Sequence, residues 1–274
     1  MKFENTQVWG FEHALRGMRN PKNSWKQSDT RELSFDDPDY DKYGGYLIGP
    51  NDMRLAQTLI KGGSEHRKFL RQIFVSVDIT APLYWWKEFD TYKVGTVANS
   101  TSTMHKIQSK KITLESFEAD DFNSGLTLFD LEEPILIDDF ADEIINSLEQ
   151  LRKKYLQTKD KRYWKELIRW LPCGWLQTRT VTMNYENLLA ICSPGQRRFH
   201  KLNEWSGIDD NALESFIAWA RTLPYAQEFI FIDELETEKD KIQKLCLTLG
   251  ISYKDRTAEQ IIASLAEKIN LHYE

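Results

Sequence analysis

The sequence predicts an α+β fold, with extended β-branched segments interleaved among amphipathic helices. Three observations predict it. The runs over residues 73–79 and 178–183 favour extended backbone. Phe140, Ile144, Ile145, Leu148 and Leu151 recur at helical spacing. With 41% hydrophobic and 12% aromatic residues over 274 positions, the chain can bury a large core, which excludes a wholly disordered protein.

The elements follow in order. Residues 1–50 are polar, acid-rich at Asp36-Asp37-Pro38-Asp39-Tyr40-Asp41, and punctuated by Gly44-Gly45 and Gly49-Pro50, so a loop-rich N-terminal arm is expected there. Asn51 or Asp52 caps a short helix that reaches Ile60 and stops at Gly62-Gly63. Ser64 caps a second helix with Phe69 and Leu70 on its apolar side. A strand follows over 73–79, and Pro82 opens a helix carrying Leu83, Tyr84, Trp85, Trp86 and Phe89. Asp138 or Asp139 caps the long helix, whose Lys153-Lys154 sit where cations suit the helix dipole. A helix over 161–170 ends before Pro172. An extended segment over 178–183 comes next, then helices near 187–191 and 213–222. Residues 51–233 form the main domain. From Glu234 the chain is charge-rich, and Thr257-Ala258-Glu259-Gln260 forms a capping box before Ile261, Ile262, Leu265 and Ile269. Residues 234–274 are therefore expected to be a C-terminal helical appendage.

Several function classes fall away. No stretch is long and apolar enough to span a bilayer, and no secretory signal opens the chain, so a cytoplasmic protein without a membrane is expected. Cys173, Cys192 and Cys246 form neither a zinc pattern nor a disulfide framework. A net charge of −6 argues against a general nucleic-acid binder. The nucleophile elbow, phosphate loop, dinucleotide glycine fingerprint and zinc-protease motifs are all missing, and the five histidines show no metal spacing, so no metal is expected.

Two polar clusters remain. The first, residues 90–106, holds Asn99, Ser100, Thr101, Ser102 and Thr103 between Lys93 and Lys106, a composition that suits either an anion or nucleotide site or a hydroxyl-rich surface loop. The second runs from Thr182 through Asn184-Tyr185-Glu186-Asn187 to Arg197-Arg198-Phe199-His200-Lys201. Its cations suit either an anion site or a solvated basic turn. His200 alone would more often be structural, and Trp205 core.

The order of these features resembles the flavin-dependent thymidylate synthase family over roughly residues 51–230. Ser64-Glu65-His66 before an apolar strand is similar to that family's Glu-His segment. The family signature R-H-R-x-x-S-x-N-x-x-S-x-R-Y lines up through Asn99 and Ser102, with Tyr92-Lys93-Val94 at the first triplet, Val97 at the first serine and Met104-His105 at the final pair. Arg169-Trp170-Leu171-Pro172 is similar to the family's Arg before Leu-Pro. Asn184-Tyr185-Glu186-Asn187-Leu188 follows Asn-x-Arg-x-Leu with Glu186 in the arginine's place, and His200 with Glu204 matches the later histidine and glutamate. A rival placement uses Arg221 with Ala226-Gln227-Glu228 but lacks the histidine, so His200 is preferred.

The resemblance implies a fold like that of the thymidylate-synthase-complementing proteins, and a homotetramer whose active sites lie between chains. It also implies bound FAD, a dUMP-like pyrimidine deoxynucleotide as substrate, and a folate one-carbon donor with NADPH as reductant. It places His66, Asn184 and His200 at the cofactor. Asn99, Ser102, Arg169, Arg197 and Arg198 fall at the nucleotide. The catalytic side chain is left unassigned, since flavin rather than an enzymic nucleophile carries that chemistry. The alternative is a non-catalytic, nucleotide- or protein-binding descendant of the fold.

Overall fold

The structure, a computed structural model, describes residues 1–92, 94–119, 136–197, 199–207, 215–235 and 246. The chain divides into two compact units, Met1–Ile230 and Phe231–Glu274. The described part of the second includes a single 3₁₀ turn, Ile232–Glu234. The expected capping box at Thr257 lies outside the described residues.

The first unit runs β1 (Lys2–Trp9), α1 (Phe11–Met18), β2 (Arg31–Glu32), β3 (Tyr46–Leu47), α2 (Pro50–Lys61), β4 (Phe74–Pro82), α3 (Leu83–Phe89), β5 (Val97–Ser100) and α4 (Thr103–Lys106). It continues with α5 (Ile137–Thr158), α6 (Lys161–Arg169), β6 (Leu176–Asn184), α7 (Tyr185–Ile191), α8 (Pro194–Arg197), α9 (Asn203–Ser206), α10 (Phe216–Arg221) and α11 (Ala226–Phe229). This is the α+β class.

A four-stranded antiparallel sheet, ordered β1-β4-β6-β5, organises the unit. Because side chains alternate along a strand, the register sorts them into two faces. One face carries Val75, Val77, Ile79 and Ala81 opposite Met183, Val181, Arg179 and Gln177. Against it packs α3, whose Trp85, Trp86 and Phe89 are almost fully buried. Trp85 stacks on Trp205 at 4.6 Å, and the Trp86 indole N–H donates to the Gln177 carbonyl at 2.9 Å. The other face is hydroxylic. Ser76 meets Thr182 at 3.1 Å, Thr80 meets Thr178 at 2.7 Å, and Asp78 accepts from Thr180 and Asn5. Those two bonds hold the Asp78 carboxyl below its ordinary pKa.

The N-terminal residues are not an arm. Residues 2–9 form the edge strand β1, and Phe3 stacks on Trp219 at 5.1 Å. A register shift between Glu4 and Gln7 and a largely exposed pattern hide the strand's period. Gly10, at φ +97°, turns the chain into α1, and a Cβ there would lie 2.0 Å from the Gln72 carbonyl oxygen.

Nor does Asn51 or Asp52 cap α2. Pro50 is its first residue, and the Asp29 carboxylate accepts from the N–H groups of Asn51 and Asp52 at 2.8 and 3.0 Å. Asp52 is instead a buried hub. Its Oδ1 accepts from Arg19 Nε at 2.5 Å, and its Oδ2 accepts from Ser28 Oγ, Thr30 Oγ1 and the backbone N–H groups of Asp29 and Thr30. Burial would raise this carboxyl, but the bonds from Ser28, Thr30 and Arg19 outweigh it and hold the pKa low. Ser64 caps no α-helix, since Lys68–Gln72 closes as a 3₁₀ turn that buries Phe69 and Leu70. Asp138 and Asp139 lie inside the first turn of α5 rather than at its cap, where their charge still suits the dipole.

A second apolar cluster joins α5 and α6 through Leu148 and Leu167, with Ile107 and Ile112. Glu149 closes it. The carboxylate accepts from Arg152 Nε and Nη2 at 2.7 and 2.8 Å and from the Ile112 N–H at 3.0 Å. The Arg152 bonds, ahead of an opposing burial effect, bring its pKa from 4.5 down to about 2.

Two predictions follow from these buried carboxylates. Asp52→Asn strands the Arg19 charge and should cost about 3 to 5 kcal/mol in urea unfolding. A depressed carboxyl stabilises above its unfolded pKa, so the Glu149 contribution should be complete above about pH 4.5 and fade as the pH falls toward 2. Glu149→Gln should therefore lose about 2 to 3 kcal/mol at pH 6, and the gap to wild type in urea midpoint should narrow steadily below pH 4.5.

Candidate functional site

The site grows from the junction where β6 becomes α7. Asn184 ends the strand and caps the helix. Its Oδ1 accepts from the Asn187 N–H and the Asn187 Oδ1 accepts from the Asn184 N–H, each at 3.0 Å. The Asn187 amide also donates to the Val94 carbonyl at 2.5 Å, which pins the loop before β5 to the same junction. Tyr185 N–H donates to the Ile73 carbonyl at 2.9 Å, so the turn preceding β4 lies directly beside α7.

That turn delivers two arginines. Glu186, in the first turn of α7, is 15% exposed and is bound by Arg67 Nε at 3.2 Å and by Arg71 through Nε and Nη2. Burial alone would raise the Glu186 carboxyl, but hydrogen bonds from Arg71 and Arg67 hold it below its ordinary value. Two guanidinium groups against one carboxylate leave a net positive charge that is partly exposed. The sequence reading missed Arg67 and Arg71. Their only signal was position, one and five residues after His66.

The expected site residues divide. Asn184 lies at this junction, while the exposed His66 precedes Arg67 in the chain and donates its backbone N–H to the Gly63 carbonyl at 3.0 Å. Asn99 and Ser102 lie on the far edge of the sheet. Asn99 pairs with Thr180, four residues or about 13 Å along β6 from Asn184, and Ser102 caps α4 by accepting from the His105 N–H at 3.1 Å. Beside Asn99, opposite Ser100, Arg179 lies over the Trp86 ring at 4.2 Å, bonded to Gln177 and to Asp90 at 2.8 Å. Gln177 in turn donates to the Thr101 carbonyl and the Thr103 hydroxyl, fixing the segment that carries Ser102.

Three of the remaining residues are committed elsewhere or only partly open. His200 is 2% exposed and stacks on Trp205 at 4.4 Å. Its Nδ1 meets Glu88 at 3.1 Å and its Nε2 meets the Ile191 carbonyl at 3.3 Å, so neither nitrogen faces a cofactor within this chain. Arg169 ends α6 in an ion pair with Glu166 at 2.5 Å. Arg197 closes α8, half-buried. Arg198 lies outside the described residues. Among the described residues no group of three or more His, Cys, Asp or Glu is placed to hold a metal ion, and no helix is long and apolar enough to cross a membrane.

Removing Arg67 and Arg71 together should strand the half-buried Glu186 charge. The Arg67→Ala, Arg71→Ala double variant should show a lower urea midpoint than wild type. Adding Glu186→Gln should restore most of the loss, and a triple variant no more stable than the double would mean the three side chains act independently.

No family model and no curated protein matches the chain in sequence. Solved structures do match in fold. The flavin-dependent thymidylate synthase ThyX of Helicobacter pylori, complexed with FAD and dUMP, superimposes with a TM-score of 0.54 at 15% identity, covering 86% of this chain and 100% of its own. A second structure of that enzyme with FAD and dUMP gives 0.55 at 17% identity over the same shares. The element order, the antiparallel sheet and the helices around it thus give this chain the fold of a flavin-dependent thymidylate synthase.

Proposed function

We propose that the protein is a divergent flavin-dependent thymidylate synthase-like protein that binds FAD and a dUMP-like pyrimidine nucleotide. The observation that carries this reading is the Arg67–Glu186–Arg71 cluster. The resemblance puts an arginine where Glu186 stands, and a lone carboxylate there would repel a phosphate. Two arginines from the neighbouring turn reverse that sign and leave a cationic surface.

The residues fit the group. Arg67, Arg71 and His66 would hold the anionic part of FAD, with Asn184 at the same junction. When bound, reduced flavin supplies the hydride for the pyrimidine ring. The chain's own part is to bind and orient. The Asn184–Asn187 pair fixes the loop through Val94, and Gln177 fixes Thr101 and Thr103, so Asn99 and Ser102 would present a firm polar edge to the nucleotide. Arg197 and Arg198 would supply cations for its monophosphate, Arg169 being tied to Glu166. A homotetramer, a folate one-carbon donor and NADPH complete the proposal.

The buried, doubly bonded His200 favours a second reading, in which the fold binds a nucleotide or a protein without catalysing methylation.

An absorbance spectrum of the purified protein, followed by FAD titration, tests the first reading. It predicts flavin bands, or uptake of added FAD, weakened about tenfold or more by Arg67→Ala with Arg71→Ala. Protein that stays colourless with FAD yet binds dUMP in calorimetry selects the second reading, and protein that takes up neither overturns nucleotide binding altogether.

A further inference from the structure

The flavin and nucleotide reading leaves the α5–α6 hairpin without a role. Its turn, Lys159-Asp160, joins two helices that pack through Leu148 and Leu167. Residues 152–165 around that turn hold seven Lys and Arg against one Asp, a local charge of +6. The other 260 residues therefore carry −12, so the net charge of −6 conceals a strongly basic end. At about 1.5 Å of rise per residue, these side chains all leave the backbone within roughly 10 Å of the turn along the helix axes. That is close to the screening length of about 8 Å in physiological salt, so their fields add.

Neighbouring chain widens the patch. Arg152 Nη1 donates to the Gln108 carbonyl at 3.0 Å and the Ile112 N–H donates to Glu149 at 3.0 Å, so Lys110 and Lys111 lie between two anchors on α5. The Trp164 indole N–H donates to the carbonyl of Met104 at 2.9 Å, two residues before Lys106. Arg152 is spent on Glu149 and Arg162 on Asp160. The lysines over 106–111 and 153–165 are exposed, and no ion pair is seen for them among the described residues.

Local stability does not explain this arrangement. α6 opens with Lys161-Arg162 and has no acidic residue in its first turn, where the helix dipole favours anions. Lys159 holds φ +58°, a left-handed position that suits glycine better than a side chain. Unpaired like charges one turn apart, such as Lys161 and Lys165, repel each other. Local conflicts of this kind are expected where a surface serves binding.

Charge selects the partner. A polyanion relieves all of these repulsions at once and gains further from the release of its own counterions. A membrane surface would also need apolar anchors, yet Leu156, at 37%, is the one exposed large apolar side chain on residues 152–165. We propose that this end of the hairpin docks on the sugar–phosphate backbone of a nucleic acid and holds it without reading base sequence.

The test is fluorescence anisotropy of the full chain with short labelled RNA, single-stranded DNA and duplex DNA of mixed sequence. At about 0.15 M salt at least one should bind with a Kd of about 1 to 100 μM, and log affinity should fall linearly with log salt. The strand held most tightly identifies the source of the backbone. The triple variant Lys153→Gln, Lys161→Gln, Lys165→Gln should weaken binding about tenfold or more and flatten the salt slope by about 2 to 3, with a urea midpoint no lower than wild type. Removing as many charges elsewhere, through Lys22→Gln, Lys26→Gln and Lys61→Gln, should change affinity by less than about twofold. The proposal is overturned if no strand binds, if the distant triple variant loses as much as the hairpin one, if free dUMP displaces the strand, or if anionic phospholipid vesicles displace it. None of these readouts requires FAD or dUMP to bind, so failure here leaves the flavin reading standing, and the reverse holds.

Discussion

Nine consecutive pairs between β4 and β6, from Phe74 opposite Asn184 to Pro82 opposite Leu176, set almost everything else in the first unit. A slip of one residue would turn Val75, Val77, Ile79, Val181 and Met183 out of the core and Ser76, Asp78, Thr80 and Thr182 into it. The aromatic cluster of Trp85, Trp86, Phe89, Trp205 and Phe216 would then pack on hydroxyls. The same register ends with Asn184 beside Phe74, and that brings the arginine-bearing turn against the start of α7. Core and candidate site are therefore consequences of one pairing.

In the proposed reading, the positive charge that the resemblance places on α7 is supplied instead by the adjoining turn. A cation on α7 and a cation on the adjoining turn act on a bound anion through the same few ångströms, and Coulomb energy depends on separation rather than on which element supplies the charge. Glu186 pulls Arg67 and Arg71 inward and orients both guanidinium groups. Oriented donors are worth more to a phosphate than floating ones, because less side-chain entropy is lost on binding. The cost is that Arg71 spends donors on Glu186, so the surface offers fewer free N–H groups than its two charges imply.

Much of the fold was legible in the sequence where burial leaves a period. The alternation in β4, the helical spacing in α5 and α6, and the Thr-rich run of β6 all appear as expected segments. β1 did not, because only Phe3 and Val8 of its eight residues are even partly buried. Asp52 read as a cap because Asp commonly is one, and only tertiary structure shows that Asp29 takes that role and frees Asp52 for Arg19. Of the candidate site, the Asn184 cap is the kind of feature that sequence shows, whereas the pairing of Glu186 with residues more than a hundred positions away leaves no trace in linear order. His200 was expected at the cofactor, but its neighbours Glu88 and Ile191 supply two acceptors that only the fold brings together.

Arg19 and Arg152, both in the first unit, make a useful contrast. Arg152 spends all three guanidinium nitrogens, two on Glu149 and one on the Gln108 carbonyl, and closes an apolar cluster completely. Arg19 is the more deeply buried, at 3% against 13% side-chain exposure, yet it spends only two. If its role were only to neutralise Asp52, there would be little reason to leave a donor unmatched, since Asp52 already receives four further hydrogen bonds from Ser28, Asp29 and Thr30. Removing water from a guanidinium N–H without replacing the bond is destabilising. The unmatched donor is a local cost within the hub that ties α1 and residues 28–30 to α2.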